Sequence, residues 1–173
     1  GIAAGLDRQV AKGRLDADER CAILTRIVPT HDLAALASCD LVIESVVEDL
    51  PVKRSLFAEL AAIVQPSAIL ATNTSTLPVV ELAMATRRPA QVCGLHFFNP
   101  APVMKLVEVV RPITASDDTI ARAVEFAGRC GKDAVTVADH AGFVVNALLF
   151  PYLNNAIRLL ERVDDEEGVR LAE

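Results

Sequence analysis

Short apolar runs alternate with longer segments of helical periodicity, and this alternation limits the possible folds more than any other feature of the chain. Each apolar run has the composition of a buried strand, whereas Leu56, Leu60 and Ile63 share one face of a helix. The predicted strands are residues 41–46, 68–72, 92–97, 105–110 and 134–138, and the predicted helices between them are residues 51–64, 78–85 and 117–130. This order is typical of an α/β fold with a mostly parallel sheet and helices on both faces.

One connection breaks the alternation. Residues 105–110 follow the strand at residues 92–97 after a Pro-containing loop, without an intervening helix. A short loop can join two antiparallel strands, whereas a parallel pair needs a longer crossover. We therefore expect residues 105–110 to turn back beside the preceding strand.

A helical hairpin is predicted before the first strand. Residues 3–12 have helical character and end at Gly13. Asp16 and Glu19 then form a capping box, which predicts a second helix that extends to Val28.

The pattern changes after Asp139, where strands give way to helices. Residues 142–162 are predicted to form one long apolar helix, and a further helix is expected to begin at Asp164. We therefore expect residues 1–139 to form one domain that includes the hairpin, and residues 140–173 to begin an all-helical domain.

The long helix is apolar on faces that the rest of the chain does not obviously cover. Val144, Leu148, Leu149 and Leu159 are expected to need a partner, either further chain or a second subunit. Pro151 is expected to kink the helix. The first residue is Gly and not Met, so the sequence is expected to be a fragment or a processed product.

Charge and composition exclude several classes of function. The net charge of −6 argues against general nucleic-acid binding. The apolar runs are shorter than a membrane-spanning helix requires, so no membrane partner is expected. The four cysteines are Cys21, Cys39, Cys93 and Cys130. Their predicted helix and strand segments are rich in Ala, Val and Leu, which predicts buried thiols in a reducing, cytoplasmic compartment. Their spacing predicts neither a disulfide framework nor a metal site.

Polar side chains follow or occupy the predicted strands where a sheet of this kind binds its ligands. Parallel α/β sheets bind ligands beyond the carboxyl ends of their strands. The residues concerned are Glu48 and Lys53 after the first strand, Asn73, Thr74 and Ser75 after the second, His96 and Asn99 at the third, and Glu108 in the fourth. His96 and Glu108 lie on strands joined by a short loop, so they could meet as a general base and the acid that orients it.

Several polar residues of the chain also have a structural interpretation. Ser75 could cap a helix, and Glu48 with Lys53 could form an exposed ion pair. His96 could be a satisfied structural histidine. Asn146 in the long helix could be bonded at a domain interface. His31 and His140 lack a partner pattern and are interpreted as structural.

Several motifs resemble one enzyme family. They are GLHFFNP at residues 94–100, VMKLVE at 103–108, VEDL at 47–50 with Lys53, ATNTS at 71–75 and GFVVN at 142–146. Together, and in this order, they resemble the L-3-hydroxyacyl-CoA dehydrogenases, most closely the bacterial 3-hydroxybutyryl-CoA or phenylacetate-pathway members. The resemblance runs from about Gly5 to the end of the chain.

The resemblance implies NAD-dependent oxidation of an L-3-hydroxyacyl-CoA to a 3-oxoacyl-CoA, in fatty acid β-oxidation or a related acyl-CoA pathway. It implies that residues 1–139 form a truncated Rossmann-like NAD-binding domain. Residues 140–173 would begin a helical domain for substrate binding and homodimerisation.

The resemblance also assigns roles to individual residues. His96 would take the proton of the 3-hydroxyl, and Glu108 would orient it. Ser75 and Asn146 would contact the substrate. The residues that would line NAD are Glu48, Lys53, Ser75 and Asn99, and those that would meet the phosphates of coenzyme A are Lys12 and Arg14.

Three departures from the family pattern leave alternatives open. The G-x-G-x-x-G turn, its strand and the acidic residue for the adenosine ribose are absent. His140 and Ala141 replace Thr-Pro, and Ala147 replaces an Arg. One alternative is a non-catalytic remnant or structural relative that keeps the fold without the cofactor site. Another is a related dehydrogenase for a non-CoA acid, which the motif at residues 97–100 disfavours.

Overall fold

The computed structural model describes the backbone of residues 1–166 and the side chains of residues 1–161. The chain divides into two compact units, Gly1–Ala35 and the part from Leu36 onward. None of the described helices is both long and apolar enough to cross a membrane.

The first unit contains the predicted helical hairpin, α1 (Ile2–Ala11) and α2 (Ala17–Thr25). Gly13 has a φ of 64°, a left-handed conformation that glycine adopts without strain. The Asp16 side chain accepts the Glu19 N–H at 2.7 Å, as the capping box predicts.

Helix α2 ends at Thr25, so the predicted end at Val28 is wrong. The Arg26 and Ile27 N–H groups bond to the carbonyls three residues earlier and tighten the last turn. Pro29 follows, and its ring disfavours helical backbone at the residue before it.

The second unit is an α/β sheet with its helices. Its elements are β1 (Leu41–Glu44), α3 (Leu50–Ile63), β2 (Ile69–Thr72), α4 (Val79–Met84), β3 (Val92–Phe97), β4 (Leu106–Arg111), α5 (Asp117–Arg129), β5 (Asp133–Ala138) and α6 (Val145–Glu166). The five strands lie in chain order. All neighbours are parallel except β3 and β4, which are antiparallel. The mostly parallel sheet and the turn back at β4 are therefore confirmed.

Helices pack on both faces of this sheet. On one face, the core of β2, β3 and β4 packs against Ile120, Ala123 and Ala127 of α5. On the other face, Val79 of α4 lies over Gly94 of β3 and Val110 of β4. The sheet is therefore covered where its central strands are most apolar.

Gly94 is required by this packing and provides a test of it. A Cβ atom there would lie 2.6 Å from Cβ of Val110 and 3.3 Å from Cγ2 of Val79. We expect Gly94→Ala to lower the free energy of unfolding by about 1–3 kcal/mol, because a β-branched neighbour cannot move aside. Urea denaturation would measure this loss. Gly128→Ala in α5 is the control: apart from its chain neighbours and the surrounding backbone of α5, no described atom lies within 4 Å of the added methyl, so the change should not be destabilising.

Helix α6 begins at Val145 and not at the predicted residue 142. Gly142 and Phe143 have φ angles of 74° and 51°, which are incompatible with an α-helix. The helix continues unbroken through Glu166, so the predicted separate helix at Asp164 is wrong; the remainder of that predicted segment lies outside the described residues.

The prediction of buried thiols is correct for Cys93 and wrong for two others. All four cysteines are free, but Cys21 and Cys130 are exposed and Cys39 is half-buried. Cys93 lies in the core, where burial raises the pKa of its thiol to about 12.

Candidate active site

His96 lies near the end of β3 in a largely enclosed position. The residue is 4% exposed. The rings of Phe98 and Phe143 flank its imidazole, with centroids 4.6 Å and 5.5 Å away. Phe143 is itself buried despite its positive φ, so the segment before α6 forms one wall of the imidazole site.

Glu108 pairs with His96 as the sequence suggested. The two residues are directly opposite in the antiparallel register of β3 and β4. Nδ1 of His96 lies 2.8 Å from Oε2 of Glu108. A carboxylate oxygen only accepts, so Nδ1 carries the hydrogen and Nε2 keeps a lone pair. This arrangement leaves His96 able to accept a proton at Nε2.

The second oxygen of Glu108 is held by the start of α6. Oε1 accepts the N–H groups of Val144 at 3.1 Å and Val145 at 3.0 Å. These belong to the amides that a helix leaves unpaired at its N-terminus, where the helix dipole favours negative charge. Glu108 is only 1% exposed, so these bonds and the imidazole together compensate its burial. They also fix the plane in which the carboxylate faces His96.

The hydroxyl of Ser75 faces the other nitrogen of His96. Oγ lies 3.1 Å from Nε2, and the Ser75 carbonyl accepts the Nδ2 amide of Asn146 at 3.2 Å. Ser75 is exposed, whereas Asn146 is half-buried. The four residues predicted to act in catalysis, His96, Glu108, Ser75 and Asn146, are thus brought together.

Glu48 and Lys53 belong to a second polar network beside this group. Oε1 of Glu48 accepts the Thr74 hydroxyl and, at 3.1 Å, the Ser75 N–H, while Oε2 lies 3.2 Å from Nζ of Lys53. The Lys53 side chain is 1% exposed, whereas that of its partner Glu48 is 42% exposed. Nζ of Lys53 also lies 2.6 Å from Oε1 of Glu44.

The surroundings of Glu48 lower the pKa of its carboxyl group. Burial by itself would raise the pKa of Glu48, but the hydrogen bonds from Thr74 and Ser75 and the charge of Lys53 outweigh it. The pKa is therefore held below the ordinary value of 4.5. Glu48 consequently stays ionised at neutral pH, and its side chain remains 42% exposed.

This shift predicts how stability depends on pH. Because the pKa of Glu48 is lower in the folded state, its contribution is complete above about pH 4.5 and is lost as the pH falls through the folded value. We expect the melting temperature of Glu48→Gln to fall less steeply than that of the parent between about pH 5 and about pH 3. Thermal denaturation across this range would measure it. Glu125→Gln, which removes an exposed carboxylate from α5, is the matched control for the loss of one negative charge.

The remaining predicted site residues are all exposed. Asn99 is exposed in the loop between β3 and β4. Lys12 and Arg14 are exposed at the turn between α1 and α2, in the other compact unit. His31 and His140 are both exposed.

Three residues hold the elements around the site in place, and sequence reasoning gave two of them, Glu44 and Asp139, no such role. Glu44 is a buried carboxylate that anchors Lys53, and an acidic residue inside an apolar strand is a signal that could have identified it. Asn73 accepts the Phe97 N–H at 2.9 Å and so ties β2 to β3. Asp139 accepts the N–H groups of Val79 at 2.9 Å and Val80 at 2.7 Å at the start of α4.

Comparisons with known proteins identify relatives of this arrangement. The family model for the 3-hydroxyacyl-CoA dehydrogenase NAD binding domain matches residues 1–140. A curated 3-hydroxybutyryl-CoA dehydrogenase of Mycobacterium tuberculosis is 48% identical over 162 residues, which cover 92% of this chain and 57% of the relative. The chain thus spans little more than half the length of the curated relatives it matches.

Solved structures agree with this match. M. tuberculosis FadB2 is 48% identical with a TM-score of 0.89, over 93% of this chain and 57% of that one. 3-Hydroxybutyryl-CoA dehydrogenase of Escherichia coli is 42% identical with a TM-score of 0.91, over 94% of this chain and 34% of that one. The (S)-3-hydroxybutyryl-CoA dehydrogenase PaaH1 of Ralstonia eutropha is 36% identical with a TM-score of 0.91, over 93% and 57%. The chain therefore belongs to the 3-hydroxyacyl-CoA dehydrogenase family, and its residues 1–140 match the NAD binding domain of that family.

Proposed function

We propose that the protein oxidises an L-3-hydroxyacyl-CoA to the 3-oxoacyl-CoA with NAD, and that His96 is the general base. The observation that carries this proposal is which nitrogen of the imidazole carries the hydrogen. Glu108 holds Nδ1 as a donor, which leaves Nε2 as the acceptor that faces Ser75. Family membership supplies the substrate class and the cofactor.

The proton route follows from this geometry. The 3-hydroxyl of the substrate would replace or share the Ser75 contact at Nε2 and give its proton to that nitrogen. The positive charge that forms on the ring would be stabilised by Glu108 2.8 Å away at Nδ1. Phe98 and Phe143 would keep bulk water from the ring during the transfer.

The residues beyond the carboxyl ends of β1, β2 and β3 fit the nicotinamide side of NAD. Glu48 offers a half-exposed carboxylate as a hydrogen-bond acceptor, while Ser75 and Asn99 are exposed polar side chains. Lys53 would act on this side through Glu48, because its ammonium is buried. When bound, NAD supplies the acceptor for the hydride that leaves C3 of the substrate.

Other residues would bind the remaining parts of the substrate. Ser75 and Asn146 would hydrogen-bond to its oxygens near the reacting carbon, since their polar groups lie next to His96. Lys12 and Arg14 would bind the phosphates of coenzyme A, because both are exposed cations in one turn.

We also propose a cytoplasmic homodimer that forms through α6 and acts in fatty acid β-oxidation or a related acyl-CoA pathway. The support for a dimer is the exposure of apolar side chains along α6, such as Leu148 at 71% and Tyr152 at 71%. The four free thiols support a reducing compartment.

The experiment that tests the proposed function measures acetoacetyl-CoA reduction by NADH and, in parallel, calorimetric binding of each ligand. Turnover that depends on both ligands is expected. The absence of both binding heat and turnover would overturn the proposal and favour a non-catalytic relative. Turnover of a free 3-oxo acid in preference to its CoA thioester would favour a dehydrogenase for a non-CoA acid.

A further inference from the structure

A buried acidic side chain lies beneath the site, outside every role proposed above. Glu44 is the last residue of β1 and is 4% exposed. Oε1 accepts the Val46 N–H at 2.7 Å and lies 2.6 Å from Nζ of Lys53. Oε2 accepts the Thr72 hydroxyl at 2.7 Å. Such a carboxylate, with both oxygens bonded, has one defined position.

Lys53 links Glu44 to Glu48, because its ammonium contacts both carboxylates. Its side chain is 1% exposed, and its ammonium has three oxygen partners among the described residues: Glu44, Glu48 and, at 3.4 Å, the Val46 carbonyl. A buried ammonium without such partners would be strongly destabilised, so the cation and its carboxylates constrain one another. Glu48 is 42% exposed, and Lys53 anchors the oxygen that does not bind the turn after β2.

Glu48 in turn holds the residue that faces His96. Oε1 of Glu48 accepts hydrogen bonds from the Thr74 hydroxyl and the Ser75 N–H, and these two bonds hold the turn after β2 in place. That turn presents the Ser75 hydroxyl to Nε2 of His96 at 3.1 Å. A continuous set of charged and polar contacts thus links the end of β1 to the imidazole.

We propose that Glu44 is a positioning residue: through Lys53 and Glu48 it sets where the Ser75 hydroxyl meets the imidazole of His96. It touches neither substrate nor cofactor. Its effect on the reaction rests on the proposed function, whereas its effect on the His96 environment does not. A purely structural role would change stability and leave the imidazole unchanged.

Glu44→Gln is the informative change because it keeps the shape and removes the charge. The amide oxygen can still accept from Val46 and Lys53, and the amide nitrogen can face Thr72. Lys53 then has Glu48 as its one carboxylate partner among the described residues, so Glu48 should move toward the ammonium and away from Ser75. We expect a shifted imidazole cross-peak of His96 in a carbon–proton NMR spectrum and a kcat lowered roughly tenfold to a hundredfold.

The chain offers internal controls for this spectrum. It has three histidines, and the cross-peaks of the exposed His31 and His140 should not move. Glu81→Gln removes an equal charge from a half-exposed pair with Arg54 and should leave the His96 cross-peak unchanged.

A double-mutant cycle tests the route through Glu48. In a Glu48→Gln background, Glu44→Gln should produce no further shift at His96 and no further loss of kcat, although stability can still fall. The proposal would be overturned by an unmoved His96 cross-peak in folded Glu44→Gln, or by an equal shift in both backgrounds. A parent protein without turnover would overturn the proposed function alone, since the NMR cycle does not depend on catalysis.

Discussion

Glu108→Gln is expected to lower kcat by up to about 10⁴-fold, although it changes one carboxylate oxygen to nitrogen. If the new amide group faces His96, its N–H donates to Nδ1 and moves the ring hydrogen to Nε2, where no lone pair is then left to accept a proton. Loss of the correct tautomer has a cost of this order in histidine-carboxylate enzymes of other families.

The opposite orientation of the amide is also unfavourable. Its nitrogen would then face the N–H groups of Val144 and Val145, which need an acceptor. Both orientations therefore disrupt the site. Steady-state kinetics would measure the loss, and nitrogen NMR of His96 would report which ring nitrogen carries the hydrogen. Glu125→Gln on the exposed face of α5 is the matched control, and near-native turnover of Glu108→Gln would contradict the assigned role.

His96→Gln is expected to lower kcat by about 10²- to 10⁴-fold, the range that a general base contributes. This loss corresponds to about 3–5 kcal/mol of transition-state stabilisation. The amide N–H of Gln can still face Oε2 of Glu108, so the fold should be retained. Neither the oxygen nor the nitrogen of the Gln side-chain amide accepts a proton at neutral pH.

The measurement is kcat with acetoacetyl-CoA and NADH, accompanied by circular dichroism to verify folding. His31→Gln, an exposed histidine in the first compact unit, should keep the parent rate. If His96→Gln retained more than about a tenth of the parent kcat, another group would have to be the base.

Much of the sheet could be predicted because each strand is a short apolar run that is recognisable from its own sequence. The apolar run at β3 and the Pro-containing loop after it were enough to predict that β4 turns back. That turn fixes the register in which His96 faces Glu108. Likewise, Gly13 and Asp16 mark the limits of the two hairpin helices through local backbone preferences.

What could not be predicted depends on contacts distant in sequence. The positive φ of Phe143 delays the start of α6, and nothing in a phenylalanine indicates that conformation. The burial of Lys53 depends on Glu44, and the sequence alone left an exposed pair with Glu48 as an open alternative. Cys21 is exposed because packing decides which side of α2 faces water, and Cys130 is exposed just beyond the last residue of α5.

The amides that hold Glu108 come from residues 36 and 37 positions later in the chain. When β3 and β4 are paired but α6 has not yet formed, His96 can therefore already face Glu108 while Glu108 still lacks the Val144 and Val145 N–H donors. The site is complete only when the first turn of α6 has formed, and that turn follows all five described strands in the sequence. Mild denaturant that opens this turn should consequently abolish activity at concentrations where the strands remain protected from hydrogen exchange.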